Sequence, residues 1–426
     1  MDEKKKVLIV GGGGREHAIA WKLEQSPQVG EMICAPGNAG IEEYCRCVDI
    51  SAEDIEGLAA LAAAERPDLT VIGPEVPLAL GLTDALEALG LKVFGPNKEC
   101  SRLEASKSFT KAFLARHSIP TADYREYTDA NLLRKDIGIF GFPMVLKADG
   151  LAAGKGVIIA EDRAAAEEAV YALMESGAFG EAGSKVVVEE LLRGTEASML
   201  CFVDGSAVAP MESAQDYKRI FDGDLGPNTG GMGTYSPSLL FDEETELRVA
   251  EDILLKTLEG FKADGLDFRG VLFVGLMLTA DGPKVIEFNN RFGDPEAQSV
   301  LPRLKTDLYT ILDAVCEDRL SGLSIEWDDG LKTVTVVMAA GGYPGHYEKG
   351  DVIHGIKDVP EGVTVFHAGT KRGKEGEILT NGGRVLGVLG TGATHEEARA
   401  SAYAGVANIT FQCAVFRNDI GVVYNT

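Results

Sequence analysis

An apolar run near the middle of the chain carries two oxygen-bearing side chains at a spacing that suits a metal ion. Glu287 and Asn289 lie two residues apart in the segment KVIEFNNRFGDP, which is predicted to be a β-strand. Successive side chains of a strand alternate between its faces, so these two point the same way. A carboxylate and an amide oxygen suit Mg²⁺, which leaves its other positions to water and phosphate. The pair indicates a nucleotide triphosphate site, and a solvated strand face is the alternative.

The residues after this pair extend the candidate site. Arg291 continues the same alternation, and Gly293, Asp294 and Pro295 then turn the chain. A guanidinium recognises carboxylate or phosphate oxygens through paired hydrogen bonds. Arg291 is therefore expected to converge with the metal pair where the strand ends.

A first glycine-rich loop, residues 11–14, lies between a predicted strand and a predicted helix. Backbone N–H groups and the helix dipole favour a phosphate at such a point. The loop does not match a dinucleotide fingerprint, because the third glycine would fall at Glu16 or His17. The next strand also ends without the acidic residue that binds a ribose hydroxyl, which argues against an NAD oxidoreductase. We predict a monophosphate site, with a structural turn as the alternative.

A second glycine-rich loop, KADGLAAGKG at residues 147–156, joins two predicted strands. Its backbone amides can approach phosphates closely, and Lys147 and Lys155 can neutralise them. It is not a Walker A loop, since Asp149 and Gly156 stand where that pattern requires glycine and Ser or Thr. A phosphate-binding hairpin is predicted, and a flexible hairpin with solvated lysines is the alternative.

Polar residues cluster in three further segments. The apolar strand VVVEELL ends in Glu189 and Glu190, whose carboxylates could accept hydrogen bonds from an adenine amino group or a ribose. The stretches SAQDYKR and GPNTGGMG are too long for simple turns. They supply candidates for positioning an amine, a carboxylate and phosphate oxygens, namely Asp216, Lys218, Arg219 and Asn228.

Short apolar runs alternate with helical segments from residue 6 to about residue 100, which predicts a parallel sheet flanked by helices. Such sheets bind ligands beyond the carboxyl ends of their strands. Loops rich in glycine and proline fall at these ends, at residues 11–14, 36–40, 73–75 and 95–97. We expect them to line one site.

Length, charge and cysteine content set limits on the class of protein. With 426 residues the chain is long enough for roughly three domains. Its formal net charge of −25 argues against nucleic-acid and anionic-membrane binding. Seven cysteines without a zinc-like spacing fit a reducing cytoplasm. We expect a cytoplasmic monomer that binds small molecules and acts by positioning and charge neutralisation, as phosphoryl transfer requires.

Together the motifs resemble those of the ATP-grasp enzymes and, among these, the phosphoribosylamine–glycine ligases. The resembling segments run nearly from end to end and include GGGGREHA, APGNAG, LEASKSFTKAFLARHSIPTA, VLKADGLAAGKGV, VVVEELLRGTEAS, GPNTGGMGTYSP, VIEFNNRFGDPE and TNGGRVLGV. Tyr217 is a departure, since the family commonly has histidine there.

The resemblance implies an α/β fold of three domains. Residues 1–103 would form an N-terminal parallel α/β domain, residues 104–325 an ATP-grasp domain and residues 326–426 a β-rich C-terminal α+β domain. A small lid subdomain at about residues 121–192 would close over ATP.

The resemblance also implies that ATP phosphorylates glycine and that 5-phosphoribosylamine then attacks the glycyl phosphate. Mg²⁺ or Mn²⁺ would be held by Glu287 and Asn289. The implied ATP-binding residues are Lys107, Lys147, Gly154, Lys155, Gly156, Glu189, Glu190, Leu191, Leu192, Glu196 and Asn228. The implied substrate-binding residues are Gly13, Gly14, Arg15, Asn38, Glu75 and Asp294, of which Gly13 to Arg15 and Asn38 would lie near the phosphoribosyl group. Asp216, Lys218 and Arg291 would act at the reacting glycine and phosphates. Another ATP-grasp ligase, or a nucleotide-binding regulator without turnover, is the alternative.

Overall fold

Residues 4–151 and 156–422 are described by the computed structural model, and they begin with an α/β unit. Its elements in chain order are β1 (Lys5–Gly11), α1 (Gly14–Glu24), β2 (Val29–Pro36), β3 (Arg46–Cys47), α2 (Ile55–Glu65), β4 (Leu69–Ile72), α3 (Glu75–Leu80), α4 (Leu82–Glu87) and β5 (Val93–Phe94). The strands are parallel in the order β3-β2-β1-β4-β5. The predicted parallel sheet is confirmed.

The carboxyl ends of β1 and β2 meet at one edge of this sheet. Gly11 pairs with Pro36, and the N–H of Gly37 donates to the carbonyl oxygen of Gly11 over 3.1 Å. Two of the predicted loops therefore lie side by side. The helices α3 and α4 are separate because the chain turns at Gly81, whose φ of +93° favours glycine.

A smaller unit follows. Its elements are α5 (Arg102–Ala105), α6 (Lys107–Arg116), β6 (Tyr124–Tyr127), α7 (Ala130–Lys135), β7 (Met144–Ala148), β8 (Val157–Ala160), α8 (Arg163–Val170) and β9 (Val186–Glu190). The four strands form an antiparallel sheet in the order β6-β9-β7-β8, which packs with α7 and α8 around its own apolar core. The helices α5 and α6 are separated at Ser106, whose extended backbone and hydroxyl cap the start of α6.

The middle of the chain continues through strands that join three different sheets. Its elements are β10 (Thr195–Asp204), β11 (Val208–Pro210), β12 (Gln215–Asp216), β13 (Arg219–Phe221), β14 (Leu225–Asn228), β15 (Gly233–Ser236), α9 (Glu243–Val249), α10 (Lys256–Asp264), β16 (Arg269–Thr279), β17 (Gly282–Asn289), α11 (Glu296–Val300) and α12 (Leu308–Cys316). Four of the strands form an antiparallel sheet in the order β11-β10-β16-β17.

The last part of the chain is β-rich. Its elements are β18 (Lys332–Ala339), β19 (Thr364–His367), β20 (Thr370–Arg372), β21 (Ile378–Thr380), β22 (Arg384–Gly392) and α13 (His395–Val406). The main sheet has the order β12-β15-β18-β22-β19, so two strands from the middle of the chain belong to it. This sheet crosses the boundary predicted between residues 325 and 326, and the domain boundaries stay predictions. Within the described ranges, every helix is too short or too polar to reach across a bilayer.

Candidate active site

A β-bulge decides which way the predicted metal pair faces. In the β16–β17 ladder Gly275 pairs with Glu287 but Leu276 pairs with Val285, so Ile286 is the extra residue. Val285 lies in the apolar core before the bulge, and strict alternation would send Glu287 to the same side. The bulge reverses the alternation, so that Phe288 is buried and Glu287 is half-buried on the opposite face with Asn289. The two side chains share one strand face, as the sequence pattern predicts.

Four cations from separate elements surround Glu287. Burial by itself would raise the pKa of this carboxyl, but the charges of Lys218, Lys107, Lys147 and Arg291 outweigh burial and lower it. Lys107 begins α6, Lys147 lies on β7, Lys218 follows β12 and Arg291 follows β17. The tertiary structure therefore gathers cations that the sequence separates, and Glu287 stays ionised among them.

Arg291 connects the N-terminal unit with β17, which carries the predicted metal pair and is termed the metal strand. Its Nη2 lies 3.0 Å from Glu104 Oε1, and its Nε lies 3.4 Å from Glu75 Oε2. Nη2 also donates to Asn289 Oδ1 over 3.2 Å. Glu104, which accepts the N–H of Asn290 over 2.7 Å as well, is a site residue that the sequence analysis missed. Arg291 is thus fixed by two carboxylates before any substrate contact is considered.

Glu189 lies between two lysines. Its Oε2 is 3.0 Å from Lys111 Nζ and its Oε1 is 3.0 Å from Lys147 Nζ. Lys147 also donates to the carbonyl oxygen of Ile286 over 3.4 Å, which joins the small sheet to the metal strand. Lys111 is a second residue that the sequence analysis missed, because a lysine within an amphipathic helix carries no local signal.

The second glycine-rich loop connects β7 and β8 as an antiparallel hairpin. The carbonyl oxygen of Gly156 accepts the N–H of Ala148 over 2.8 Å at its base. Asp149 accepts the hydroxyl of Ser106 over 3.0 Å and the N–H of Ser108 over 3.1 Å. These bonds hold the loop against the start of α6, where Lys107 lies. The predicted residues Gly154 and Lys155 lie outside the described residues.

The remaining predicted ATP-binding residues lie beside β9 and β14. Glu190 accepts the N–H of Asp123 over 3.1 Å, and Leu191 and Leu192 are half-buried in the link to β10. Glu196 Oε2 is 2.8 Å from Lys218 Nζ. Asn228 is exposed opposite Arg219, and among the described residues no ion pair or side-chain hydrogen bond connects it with the cations.

Asp216 is half-buried and Glu296 is buried, and their carboxyl groups interact with each other. Burial raises the pKa of Asp216 well above its usual value, and the neighbouring Glu296 raises it further. The pKa of Glu296 is also raised, chiefly by burial. Asp216 Oδ1 is buried without a hydrogen-bond partner among the described residues. A buried acceptor with no partner is available to a ligand. Glu296 is a third residue that the sequence analysis missed.

The first glycine-rich loop is capped from within. Gly13 donates its N–H to Glu16 Oε2 over 2.6 Å. A carboxylate of the protein therefore accepts a backbone N–H that was predicted to bind a phosphate. Arg15 donates to Glu16 Oε1 over 2.6 Å and to the carbonyl oxygen of Phe292 over 3.1 Å. A methyl group added to Gly13 would lie 3.4 Å from Asp294, and one added to Gly14 would lie 3.6 Å from it. The loop and the end of the metal strand therefore share one site.

The C-terminal unit completes this side of the site. Asn38 donates to the carbonyl oxygens of Gly12 over 2.9 Å and of His367 over 2.8 Å. Arg384 Nη2 lies 3.1 Å from Asp294 Oδ2, and its charge helps to lower the pKa of that carboxyl, which burial alone would raise. Arg384 is a fourth missed residue.

Tyr217, the departure from the family motif, lies in a core and not in the cluster of cations. It is buried, its hydroxyl donates to the carbonyl oxygen of Val422 over 2.9 Å, and it accepts the N–H of Gly421 over 3.1 Å. The guanidinium of Arg417 lies 4.9 Å from the centre of its ring. These contacts give this side chain a structural role.

Two antiparallel sheets thus meet at a cluster of cations, one carrying a glycine-rich hairpin and the other the strand of Glu287 and Asn289. This fold and site define an ATP-grasp ligase. Models of the phosphoribosylglycinamide synthetase family match three successive stretches, the N domain at residues 5–104, the ATP-grasp (A) domain at residues 105–297 and the C domain at residues 333–423. The chain belongs to the phosphoribosylglycinamide synthetase family, and the family assignment made from the motifs is confirmed.

Curated relatives and a solved structure agree with this assignment. The chain is 49% identical to the phosphoribosylamine–glycine ligase of Xanthomonas axonopodis pv. citri, with 98% of this chain and 97% of the relative covered. It is also 49% identical to that of Escherichia coli K12, with 98% of each covered. The crystal structure of the phosphoribosylamine–glycine ligase from Thermotoga maritima matches with a TM-score of 0.83 and 36% identity, over 97% of this chain and 99% of that one.

Proposed function

We propose that this protein ligates glycine to 5-phosphoribosylamine with consumption of ATP, giving glycinamide ribonucleotide, ADP and phosphate in purine biosynthesis. The observation that carries the proposal is the strand face of Glu287 and Asn289, which lies among cations from α6, β7, the segment after β12 and the end of β17. A triphosphate with its metal ion is the ligand that such a cluster fits. The full-length similarity to phosphoribosylamine–glycine ligases supplies the identity of the acid and the amine.

The donor set fits a magnesium-type ion. Glu287 is kept ionised by its cationic neighbours, and within the described ranges Asn289 Oδ1 accepts one hydrogen bond, from Arg291, so that a lone pair remains. Among residues 4–151 and 156–422, no three His, Cys, Asp or Glu side chains come together as a metal site. One carboxylate and one amide are what an ion needs when phosphates and water complete its shell. We propose that Glu287 and Asn289 hold Mg²⁺ or Mn²⁺, which when bound would supply positive charge to offset the charge of the transferring phosphoryl group.

The first step would be attack by a glycine carboxylate oxygen on the γ-phosphorus of ATP, with cleavage of the bond to the β–γ bridging oxygen. Lys107, Lys147 and Lys155 would bind the phosphates, while Arg291 would hold the glycine carboxylate or the transferring phosphate. These charges oppose the repulsion between two anions. The ATP-binding residues predicted from the end of β9 to the start of β10, Glu189 to Glu196, would hold the adenosine.

The second step would be attack by the amine of 5-phosphoribosylamine on the carbonyl carbon of glycyl phosphate. The C–N bond forms, the C–O bond to phosphate breaks, and the amine loses a proton. Gly13, Gly14, Arg15 and Asn38 would bind the phosphoribosyl group, at the side of the site nearest Asp294. The small sheet would close as a lid and exclude water from the acyl phosphate.

An ADP-release assay with each substrate omitted in turn tests this function. We expect release only when ATP, a divalent metal, glycine and 5-phosphoribosylamine are all present. With ¹⁸O in the glycine carboxylate, one label should appear in the released phosphate, because the attacking oxygen leaves with phosphorus. Turnover supported by bicarbonate or formate in place of glycine would contradict the proposal and favour another ATP-grasp ligase of purine metabolism.

The expectations of a cytoplasmic monomer that binds neither nucleic acid nor membranes rest on composition and stay predictions. Sedimentation of the purified protein would test the expectation of a monomer directly.

A further inference from the structure

The buried ion-pair cluster of Lys111, Glu189 and Lys147 has an uneven charge balance. One carboxylate faces two ammonium groups, each 3.0 Å from a different oxygen of Glu189. The exposed fractions are only 2% for Lys111, 3% for Glu189 and 5% for Lys147. Glu189 Oε1 makes an ionic contact with Lys147 but accepts no hydrogen bond among the described residues. Breaking the contact between Lys147 and Glu189 therefore costs Glu189 less stabilisation than breaking its contact with Lys111.

The ammonium group of Lys147 cannot pair fully with Glu189 and with a phosphate at the same time. If its ammonium turns to the ATP phosphates, as the proposed function requires, Glu189 loses one partner. A buried carboxylate without any partner is strongly destabilising. We propose that Lys111 is a positioning residue for ATP binding, which keeps Glu189 neutralised while Lys147 pairs with the phosphates.

The contacts of Lys111 suit this role because they hold its ammonium in place. Nζ donates to Thr121 Oγ1 over 2.8 Å and to the carbonyl oxygen of Ala122 over 3.4 Å. Thr121 in turn donates to the carbonyl oxygen of Val285 over 2.7 Å, on the metal strand. Lys111 is thus tied to the edge of the site, while among the described residues Lys147 hydrogen-bonds to the carbonyl oxygen of Ile286 and forms an ion pair with Glu189 alone.

The protonation of Lys111 depends on its burial and on the charged and titratable groups that face it. Glu189 and Glu190 face it from β9, Lys147 from β7 and the ring of Tyr124 from β6 at 5.8 Å. Burial lowers the pKa of Lys111 to about 8, with Glu189 opposing and Lys147 reinforcing this shift. Lys111 is consequently charged at pH 7 and mostly neutral at pH 9.

A double-mutant cycle on Mg-ATP binding tests the proposal. Calorimetry on the full chain would measure Kd for the parent, Lys111→Met, Glu189→Gln and the double variant. We expect Lys111→Met to raise Kd at least tenfold beside Glu189 and less than twofold beside glutamine, since the neutral amide needs no counter-ion. An equal loss in both backgrounds would indicate a packing role and overturn the proposal, as would the absence of any loss.

A second comparison decides the matter if Lys111→Met does not fold. Kd of the parent should rise severalfold between pH 7 and pH 9 as Lys111 loses its proton, whereas Lys111→Arg, which keeps its charge, should change less than twofold. The same pH dependence in both proteins would overturn the proposal. Binding is measured without glycine or 5-phosphoribosylamine, so a failure of the ligase assay and a failure of this inference are separate results.

Discussion

The guanidinium of Arg384 lies 3.1 Å from the carboxylate of Asp294, although β22 and the end of the metal strand belong to different sheets. Nη1 of the same arginine donates to the carbonyl oxygens of Asp294 and Gly230, each over 2.6 Å. A residue of the C-terminal unit therefore holds two loops that border Asp216. The C-terminal unit is part of the site and not an appendage to it.

Substitution of Arg384 by methionine should lower kcat/KM by roughly a hundredfold, because hydrogen bonds to a charged group contribute about 1.5–3 kcal/mol and the loops would shift. Steady-state kinetics with saturating ATP would measure this. Arg372→Met is the matched control, since Arg372 is another arginine of the C-terminal unit that reaches a distant part of the chain but pairs with Glu42 at the surface. Parent-like kinetics in Arg384→Met would refute the assigned role.

Substitution of Glu287 by glutamine should lower kcat by roughly a hundredfold or more, since an ionised ligand is replaced by a neutral one at the developing charge. The concentration of Mg²⁺ at half-maximal activity should rise as well, and a metal titration of initial rates would show both effects. Asp281→Asn, in the exposed turn between β16 and β17, serves as the control. If the titration curve of Glu287→Gln overlaid that of the parent, the metal assignment would fail.

Substitution of Glu296 by glutamine should change the pH dependence of stability. The pKa values of Asp216 and Glu296 are raised in the folded protein, so it binds their protons more tightly than the unfolded chain. Stability due to this pair is present below the unfolded-state pKa values, about 4, and is lost as pH rises through the folded-state values. The variant should therefore gain thermal stability over the parent at pH 8 but not at pH 4.

Thermal unfolding at both pH values would check this, with Glu251→Gln at an exposed helical position as the control. An equal change in Tm at the two pH values would show that the carboxyl pair does not couple in this way.

Substitution of Tyr217 by phenylalanine should lower the free energy of unfolding by about 1–3 kcal/mol, because Gly421 and Val422 lose a buried partner. We expect kcat/KM to stay within roughly threefold, since the ring remains in its core. Denaturant unfolding and initial rates would test the two expectations, with Tyr171→Phe at an exposed position as the reference. A large loss of activity at unchanged stability would instead place the hydroxyl in the reaction.

The predicted features with local signals have the expected structure. The glycine-rich hairpin between β7 and β8, the strand ending at Glu190 and the face of Glu287 and Asn289 are recognisable from alternation and glycine content alone. Glu104, Lys111, Glu296 and Arg384 are not, because a charged residue within a helix or strand reads as solvent-facing until its partners are known. For the same reason, the sequence around Glu189 does not reveal that two lysines contact its carboxylate.

By itself the sequence determined the order of the units, the parallel and β-rich parts of the fold, the motifs that identify the family and the residue types available for phosphate and metal binding. These depend on hydrophobic periodicity and on short motifs, which act within a few residues of each other. Only the tertiary structure decided that a bulge at Ile286 turns Glu287 and Asn289 towards the lysines, that Lys111 shares Glu189 with Lys147, and that Arg384 reaches Asp294. The reason is physical: the charge state and direction of a buried side chain depend on which distant groups surround it.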